Sequence, residues 1–235
     1  MTFTRARSRY IAALVLLAVA PVLVGCAAAV PAADPAASVA PAAAQVAAPA
    51  APAVNYFDKT YGTFAPVTVT GTSDTLIPIP APAKAALVTA TYSGSSNFMV
   101  GVLDKANQPT IDMPINTIGA YKGVTAIGLM SMGEPGVQLK VTAEGPWSIT
   151  ISPVSAAPVG KPASGVGDAV FLYPGAATSW TFAYTGASNF MVNQFGSSPM
   201  PGIGINKIGA FTGKEPVDAG PSVVDLKAVG SWTIS

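Results

Sequence analysis

Short runs in which apolar and polar residues alternate recur along most of the chain after residue 67. Val137-Gln138-Leu139-Lys140-Val141 and Trp147-Ser148-Ile149-Thr150-Ile151 both have a period of two, typical of a strand with one buried face. Gly, Pro, Asn and Asp separate the runs and predict tight turns. In the first half the predicted strands are Thr75–Ile79, Ala86–Tyr92, Phe98–Leu103, Val124–Met130, Val137–Ala143 and Trp147–Ile151. No stretch after residue 55 has a convincing helical period, so the pattern predicts an all-β fold.

Three blocks of sequence recur in the same order and indicate an internal duplication. The matching pairs, at offsets of 92, 90 and 85 residues, are Gly94–Val100 with Gly186–Val192, Ile115–Gly123 with Ile205–Gly213, and Gly145–Ile149 with Gly230–Ile234. The turns that end at Asp74 and Asp168 match as well. We therefore predict two tandem small β-sandwich repeats of jelly-roll type, over residues 55–153 and 161–235.

Each repeat has a Gly-x-x-Asn-Phe start, at Gly94 and Gly186, and a Gly-x-Trp-x-Ile end, at Gly145 and Gly230. In these motifs the chain resembles small β-sandwich modules of bacterial and archaeal surface proteins. It also loosely resembles the pre-peptidase C-terminal jelly-roll modules attached to secreted enzymes. The resemblance covers about 160 residues and implies a non-catalytic module. It implies no particular ligand.

The N-terminus has the three-part layout of a secretory signal. Arg5, Arg7 and Arg9 form a basic start, and an apolar run extends from Ile11 to about Val24. The run ends in Leu23-Val24-Gly25-Cys26, which resembles the lipobox of bacterial lipoproteins processed by signal peptidase II. The resemblance implies that residues 1–26 are a signal peptide and that Cys26 carries the lipid. The protein would then be extracytoplasmic and anchored to the bacterial membrane.

Two other interpretations of the N-terminus remain. One is an ordinary signal peptide with an incidental cysteine. The other is an uncleaved transmembrane helix, since residues 11–30 have about the length that a span needs. Pro21 inside the run weakens a straight helix, and the small residues before Cys26 favour access by a peptidase.

A low-complexity segment follows the predicted leader. Residues 27–54 contain 16 alanines, 5 prolines and a single charge, Asp34. Alanine favours helix, but the prolines interrupt it, and the segment has little to bury. We predict a disordered, extended tether that spaces the folded part from the membrane.

Composition narrows the possible chemistry. The chain has no histidine, which excludes Ser-His-Asp and Cys-His catalysis and histidine-containing zinc sites. Charged residues make up 10% of the chain and the net charge is +1, so nothing points to nucleic acid. The single cysteine cannot form an intramolecular disulfide. We predict a protein that is not an enzyme and has no cofactor.

Several repeated side chains have both a functional and a structural interpretation. Trp147 and Trp232 could stack on sugars, but each is followed two residues later by Ile, which favours a core position. Trp180 aligns with Val88, which also favours the interior. The amides kept in both repeats, which could recognise a sugar or peptide or could satisfy turns, are Asn97, Asn116, Asn189 and Asn206.

Other candidates are weaker. Asp74 and Asp168 could begin a calcium loop, but neither lies in a dense cluster of oxygen ligands, so no metal site is predicted. The aromatic residues between tether and first repeat are Tyr56, Phe57, Tyr61 and Phe64. They are expected to form an N-terminal strand that closes the first repeat, or else an exposed contact surface.

These observations predict a non-catalytic, lipid-anchored protein of the cell envelope, structural or binding, that contacts a wall polymer, a glycan or a surface protein. The alternative is a secreted hydrolase or a solute-binding lipoprotein of a transporter. A transport receptor needs two α/β lobes around a cleft, and a hydrolase needs a nucleophile and a base. Neither pattern is visible in the sequence.

Overall fold

The computed structural model describes residues 51–130, 133–197 and 201–235. The predicted leader, Cys26 and the predicted tether up to residue 50 lie outside the described residues. The described chain is mostly β-strand, and the predicted all-β fold of two tandem β-sandwich modules is confirmed. A helix that is long and apolar enough to cross a membrane does not occur in the described residues.

Each module contains eight strands. The first module consists of β1 (Val67–Gly71), β2 (Thr75–Pro78), β3 (Ala86–Tyr92), β4 (Asn97–Leu103), β5 (Ile115–Ile118), β6 (Tyr121–Ile127), β7 (Gln138–Ala143) and β8 (Trp147–Pro153). The second consists of β9 (Ser164–Val166), β10 (Ala169–Tyr173), β11 (Thr178–Tyr184), β12 (Asn189–Phe195), β13 (Gly202–Ile208), β14 (Phe211–Val217), β15 (Ser222–Ala228) and β16 (Ser231–Ile234). A short 3₁₀ turn, Val154–Ala156, lies between the modules.

The strand order is the same in both modules. In the first, one sheet runs β1-β8-β3-β6 and the other β2-β7-β4-β5. In the second, the sheets run β9-β16-β11-β14 and β10-β15-β12-β13. All pairings are antiparallel, and the first strand pairs with the eighth, the second with the seventh, the third with the sixth and the fourth with the fifth. These nested pairs are the topology of a jelly roll.

Part of the core packing is repeated in the two modules. Tyr92 stacks on Phe98 with ring centroids 4.7 Å apart, and Tyr184 stacks on Phe190 at 4.8 Å. The tyrosine hydroxyls donate to equivalent carbonyls, that of Glu144 at 2.8 Å and that of Val229 at 2.7 Å. The duplication seen in the sequence is therefore a duplication of packing as well.

The tryptophans that recur in the two modules explain one pair of glycines. Gly71 and Gly165 face Trp147 and Trp232, and an added Cβ would lie 2.4 Å and 2.2 Å from the indole rings. Each indole N–H donates to a backbone carbonyl of the neighbouring turn, at 3.0 Å to Ser73 and 2.9 Å to Gly167. A larger residue at either glycine would push the tryptophan out of the core.

The segment before the first module has a different structure from the one predicted. Ala51–Tyr61 is an α-helix, α1, so the predicted strand over the aromatic cluster is wrong, and the helix begins inside the segment predicted as tether. Phe57 and Tyr61 lie one helical turn apart and are both buried, whereas Tyr56 and Phe64 are half-buried. The i, i+4 spacing of Phe57 and Tyr61 gives α1 an apolar stripe that packs at the junction of the modules.

A third apolar cluster joins the two modules, in addition to the core of each. It contains Phe57 and Tyr61 from α1, Leu87 from the first module and Val154 from the linking turn. The second module contributes Val170, Leu172 and Val223. We call this cluster and the polar residues around it the seam. The second module buries these side chains on the outer face of its β10-β15-β12-β13 sheet, so this sheet is covered on both faces.

Candidate functional site

The four predicted asparagines lie at equivalent, exposed places. Asn97 and Asn189 are the first residues of β4 and β12, and Asn116 and Asn206 lie on the neighbouring strands. Met99 pairs with Asn116 and Asn97 pairs with Ile118, so the two amides of the first module lie diagonally on one outer face. The second module repeats this arrangement through Met191 and Ile208. The structure thus brings together the two amides within each module.

The predicted role of these asparagines in closing turns is taken by backbone groups. The N–H of Gly119 donates to the carbonyl of Ser96 at 3.0 Å, and that of Gly209 to Ser188 at 3.0 Å. Both glycines have φ near +84°, a conformation that side chains disfavour. The asparagine side chains therefore point to solvent beside a turn that is already closed.

Asp74 and Asp168 have a structural role in each module. Their Oδ1 atoms accept the backbone N–H groups of Ala143 and Ala228, both at 2.9 Å. The second oxygen of Asp168 also accepts the hydroxyl of Tyr121 from the first module at 2.8 Å. Burial raises the pKa of Tyr121, and the charge of Asp168 raises it further, so this hydroxyl stays protonated and remains a donor.

The prediction that the tryptophans belong to the core is confirmed. Trp147, Trp180 and Trp232 are all buried. None presents an open ring face on which a sugar could stack, because each indole is enclosed by its own module.

The seam contains a group of hydrogen-bonded and charged residues that the sequence analysis did not predict. Strand β6 is an edge strand, and its outward N–H groups need partners. The N–H of Val124 donates to the carbonyl of Asp168 at 3.2 Å, and the backbone of Ala126 lies beside the carboxylate of Asp225. Just beyond the strand, the N–H of Gly128 donates to Oδ2 of Asp112 at 2.9 Å. Val124 thus donates to the second module and Gly128 to the first, and the second module also places a carboxylate beside Ala126.

One lysine links the charges of the seam. The ammonium of Lys227 lies 3.8 Å from Oδ1 of Asp225 and donates to the carbonyl of Pro114 at 3.2 Å. Asp225 is only 8% exposed, and its Oδ1 has no hydrogen-bond partner. Desolvation raises the pKa of Asp225 to about 6, against the opposing effect of Lys227. Desolvation likewise raises the pKa of Asp112.

A cavity of about 290 Å³ lies beside this cluster. Its walls are formed by Leu129, Met130, Phe195 and Pro201 together with Asp112 and Asp225. The buried Oδ1 of Asp225 is closed off from solvent, and in the described ranges no group of three or more His, Cys, Asp or Glu side chains is arranged to hold a metal ion. The arrangement is suited to joining two modules, and it lacks an accessible nucleophile beside a base.

A signal for the seam was present in the sequence. Strand β10 reads Ala169-Val170-Phe171-Leu172-Tyr173, a continuous apolar run that is typical of a strand buried on both faces. Its counterpart in the first module reads Thr75-Leu76-Ile77-Pro78, which is more polar. Comparing the repeats for such differences would have located the seam.

The comparisons with known proteins give little beyond this geometry. No protein-family model matches the chain, and no curated protein matches it. Among solved structures it is similar to A223, a turret protein of Sulfolobus turreted icosahedral virus, at 15% sequence identity. That alignment covers 72% of this chain and 95% of the viral one, with a TM-score of 0.22. A score this low supports no argument about function.

Proposed function

We propose that the protein is a lipid-anchored, non-catalytic module of the bacterial cell envelope that contacts a wall polymer, a glycan or a surface protein. The observation that carries the proposal is the only cysteine of the chain, Cys26, directly after a basic and apolar leader in Leu23-Val24-Gly25-Cys26. An acylated cysteine with two or more chains anchors a protein stably, where a single chain would not.

The geometry of the described residues supports a contact function over chemistry. The strongly perturbed carboxyl group, Asp225, is used to join the modules and is closed to solvent. The repeated polar groups that are open to solvent are the amide pairs, Asn97 with Asn116 and Asn189 with Asn206. Paired amides on a rigid sheet suit recognition of hydroxyl or peptide groups, because each amide both donates and accepts.

Metabolic labelling tests the anchor. We expect radiolabelled palmitate to be incorporated into the native protein and not into Cys26→Ala, with the Cys26→Ala protein recovered from the soluble fraction. Equal labelling of both proteins would disprove lipid attachment at Cys26.

Binding to envelope fractions tests the contact surface. We expect the detergent-solubilised mature protein to be retained on isolated wall material or a glycan array, and the Asn97→Ala/Asn189→Ala variant to be retained at least several-fold less. Gln108→Ala removes an exposed amide outside the repeated pairs and serves as the control. Retention that is the same for all three proteins would show that these amides are not the contact.

A further inference from the structure

One corner of the second module contains an open polar cavity where the first module is closed. The cavity has a volume of about 310 Å³, and Gln194, Asp218 and Ser222 form part of its walls. The corresponding corner of the first module has a cavity of about 20 Å³. A space that small holds about one water molecule, whereas the cavity of the second module is in the size range of small-molecule sites.

The connection between two strands accounts for this difference in volume. In the first module seven residues, 79–85, connect β2 to β3, and Lys84 and Ala85 line the small cavity. Helix α1 holds this connection in place, because the N–H groups of Lys84 and Ala85 donate to the carbonyl of Tyr61 at 2.8 Å and 3.4 Å. In the second module four residues, 174–177, connect β10 to β11, and the corner stays open.

The side chains at corresponding positions of the two corners differ in polarity. Gln194 stands where the first module has Val102, and Ser222 stands where it has Val137. Gln194 and Ser222 are each only 1% exposed. Burying an amide and a hydroxyl has a cost in stability that hydrogen bonds must offset. The first module folds with two valines at these positions, so folding alone does not require the polar groups.

The carboxylate of this corner comes from a different strand in each module. In the first module it belongs to Asp112, whose Oδ2 accepts the N–H of Gly128 at 2.9 Å. The corresponding residues of the second module are Gly202 and Asp218, so the aspartate and the glycine have exchanged places. The N–H of Asp218 donates to Oε1 of Gln194 at 2.9 Å instead of to a carboxylate.

Two side-chain oxygens converge beside Gly202. An added Cβ at this glycine would collide with Oδ2 of Asp218 and would lie 3.2 Å from Oε1 of Gln194. A single donor group in the cavity can therefore reach both oxygens. The next residue, Ile203, is buried and has a φ of +40°, which is strained for a β-branched side chain. Strain of this kind is concentrated at functional sites such as ligand clamps.

The hydrogen-bonding groups of the walls define the chemistry of the ligand. The amide nitrogen of Gln194 already donates to the carbonyl of Asp218 and to the hydroxyl of Ser222, each at 2.8 Å. The amide therefore offers the cavity its oxygen, which can accept a second hydrogen bond. The carboxylate of Asp218 only accepts, and Asp218 is the single charged residue among the described residues that line the cavity. Such walls favour a ligand that donates several hydrogen bonds and carries one positive charge.

We propose that this cavity binds a primary ammonium group carried on a short unbranched chain. An ammonium has three donors and no acceptor, which matches the carboxylate of Asp218, the amide oxygen of Gln194 and the hydroxyl of Ser197. A divalent metal ion fits less well, because it favours several carboxylates and the described lining supplies one. The ammonium can come from a free alkylamine or from a lysine side chain of a peptide.

The inference goes beyond the proposed function and does not depend on the lipid anchor, because every residue that forms the cavity lies in the second module.

The test is an NMR titration of the mature protein, labelled with ¹⁵N-glycine, in nonionic detergent and an amine-free buffer. The probes are n-butylammonium chloride and Nα-acetyl-lysine amide. The comparison compounds are n-butanol, which lacks the charge, and calcium chloride. The signals of Gly196 and Gly202 report on the cavity. The signal of Gly136, which lines the small cavity of the first module, reports on the corresponding corner.

We expect the amines to shift the signals of Gly196 and Gly202 to saturation, to leave that of Gly136 unchanged, and n-butanol to have no effect. Asp218→Asn should weaken binding roughly ten-fold or more, because it removes the charge and keeps the shape. Asp218 is exposed, so this variant should fold. The matched control is Glu144→Gln, which removes an exposed charge outside the cavity and should change the affinity by less than about two-fold.

Tighter binding of the lysine derivative than of n-butylammonium would identify a peptide side chain as the source of the ammonium, and the reverse would identify a free amine. The inference would be wrong if neither amine shifted the two signals, if Asp218→Asn bound as tightly as the native protein, or if n-butanol bound equally well. Saturable shifts with calcium chloride and none with the amines would also overturn it and would indicate a metal site. A protein that lacks the lipid on Cys26 should give the same titration, so this inference and the proposed function fail separately.

Discussion

The two modules share a core but differ at their edges. Edge strand β6 of the first module is covered by the second module, which accepts the N–H of Val124 and places the carboxylate of Asp225 beside Ala126. The equivalent edge strand of the second module is β14, and in the part of the chain that the structure describes no strand pairs with its outer edge. Pro216 stands where the first module has Ala126, so the central outward donor is missing there. Proline is a common protection for an open edge.

The outer faces of the equivalent sheets differ in the same way, because that of the second module is covered and that of the first is exposed. Val170 is buried at the seam, whereas the equivalent residue of the first module, Leu76, is 55% exposed. Asp225, opposite Val170, corresponds to the exposed Lys140, opposite Leu76. The two modules thus share a strand order, and these differences lie where the modules meet. Substitutions at equivalent positions of the two modules test how these differences affect the free energy of unfolding.

The largest effect is expected from introducing a charge at the seam. Val170→Asp places an unpaired carboxylate opposite Asp225 and should lower the free energy of unfolding by roughly 3–5 kcal/mol. Leu76→Asp, its matched control, faces Lys140 near solvent and should change it by less than about 0.5 kcal/mol. Urea denaturation measures both. Similar losses in the two variants would contradict the conclusion that this outer face is buried in the second module and open in the first.

The second-largest effect is expected in the pH dependence of the free energy of unfolding, and Asp225 should cause it. Its folded-state pKa is raised to about 6, so its stabilising contribution is complete below about pH 3.8 and is lost as pH rises through 6. Asp112, Asp168, Tyr121 and Lys227 face it. Relative to the native protein, Asp225→Asn should gain about 1–1.5 kcal/mol between pH 5 and pH 7.5.

The control for that prediction is Lys140→Gln, at the equivalent position of the first module. Its stability relative to the native protein should not change over the same pH range. A difference between Asp225→Asn and native protein that is independent of pH would show that the carboxyl does not titrate in the seam.

A smaller and equal effect is expected from the repeated tyrosines. Tyr92→Phe and Tyr184→Phe each remove one hydrogen bond to a turn carbonyl, of 2.8 Å and 2.7 Å, and should each cost about 1 kcal/mol. Urea denaturation of the two variants side by side gives the comparison. A clearly unequal pair of values would mean that the two cores are less alike in energy than in geometry.

Much of the fold could be predicted from sequence because its signals are local. Alternation such as Gln138-Leu139-Lys140-Val141 defines a strand and its buried face together, and the recurring Trp147 and Trp232 motifs define the repeat. Helix α1 was not predicted because the residues before it are mostly alanine and proline. Only Phe57 and Tyr61 indicate its buried face. That pair becomes informative only once a partner surface is known.

The seam was missed for a different reason. Asp225 and Asp112 are 113 residues apart in the chain, and their proximity to Lys227 depends on how two finished modules pack. The apolar run of β10 indicates a covered outer face, but local pattern does not say which residues cover it. The asparagines were found because they repeat, but repetition alone did not separate a turn from a surface. The backbone hydrogen bonds of Gly119 and Gly209 close these turns, and a ligand for the amides stays a prediction.

The smallest expected effect on stability concerns the open edge of β14. Pro216→Ala restores an outward N–H at the centre of this edge and should alter the free energy of unfolding by only about 0.5 kcal/mol, through the greater freedom of the unfolded chain. Its main consequence should be association, because an unprotected edge can pair with the same edge of another molecule. Sedimentation equilibrium at rising concentration should show more dimer than for the native protein. Pro174→Ala, which changes an exposed proline in a loop of the same module, should not. If Pro216→Ala associated no more than Pro174→Ala, the proline would not be what distinguishes the open edge from the covered one.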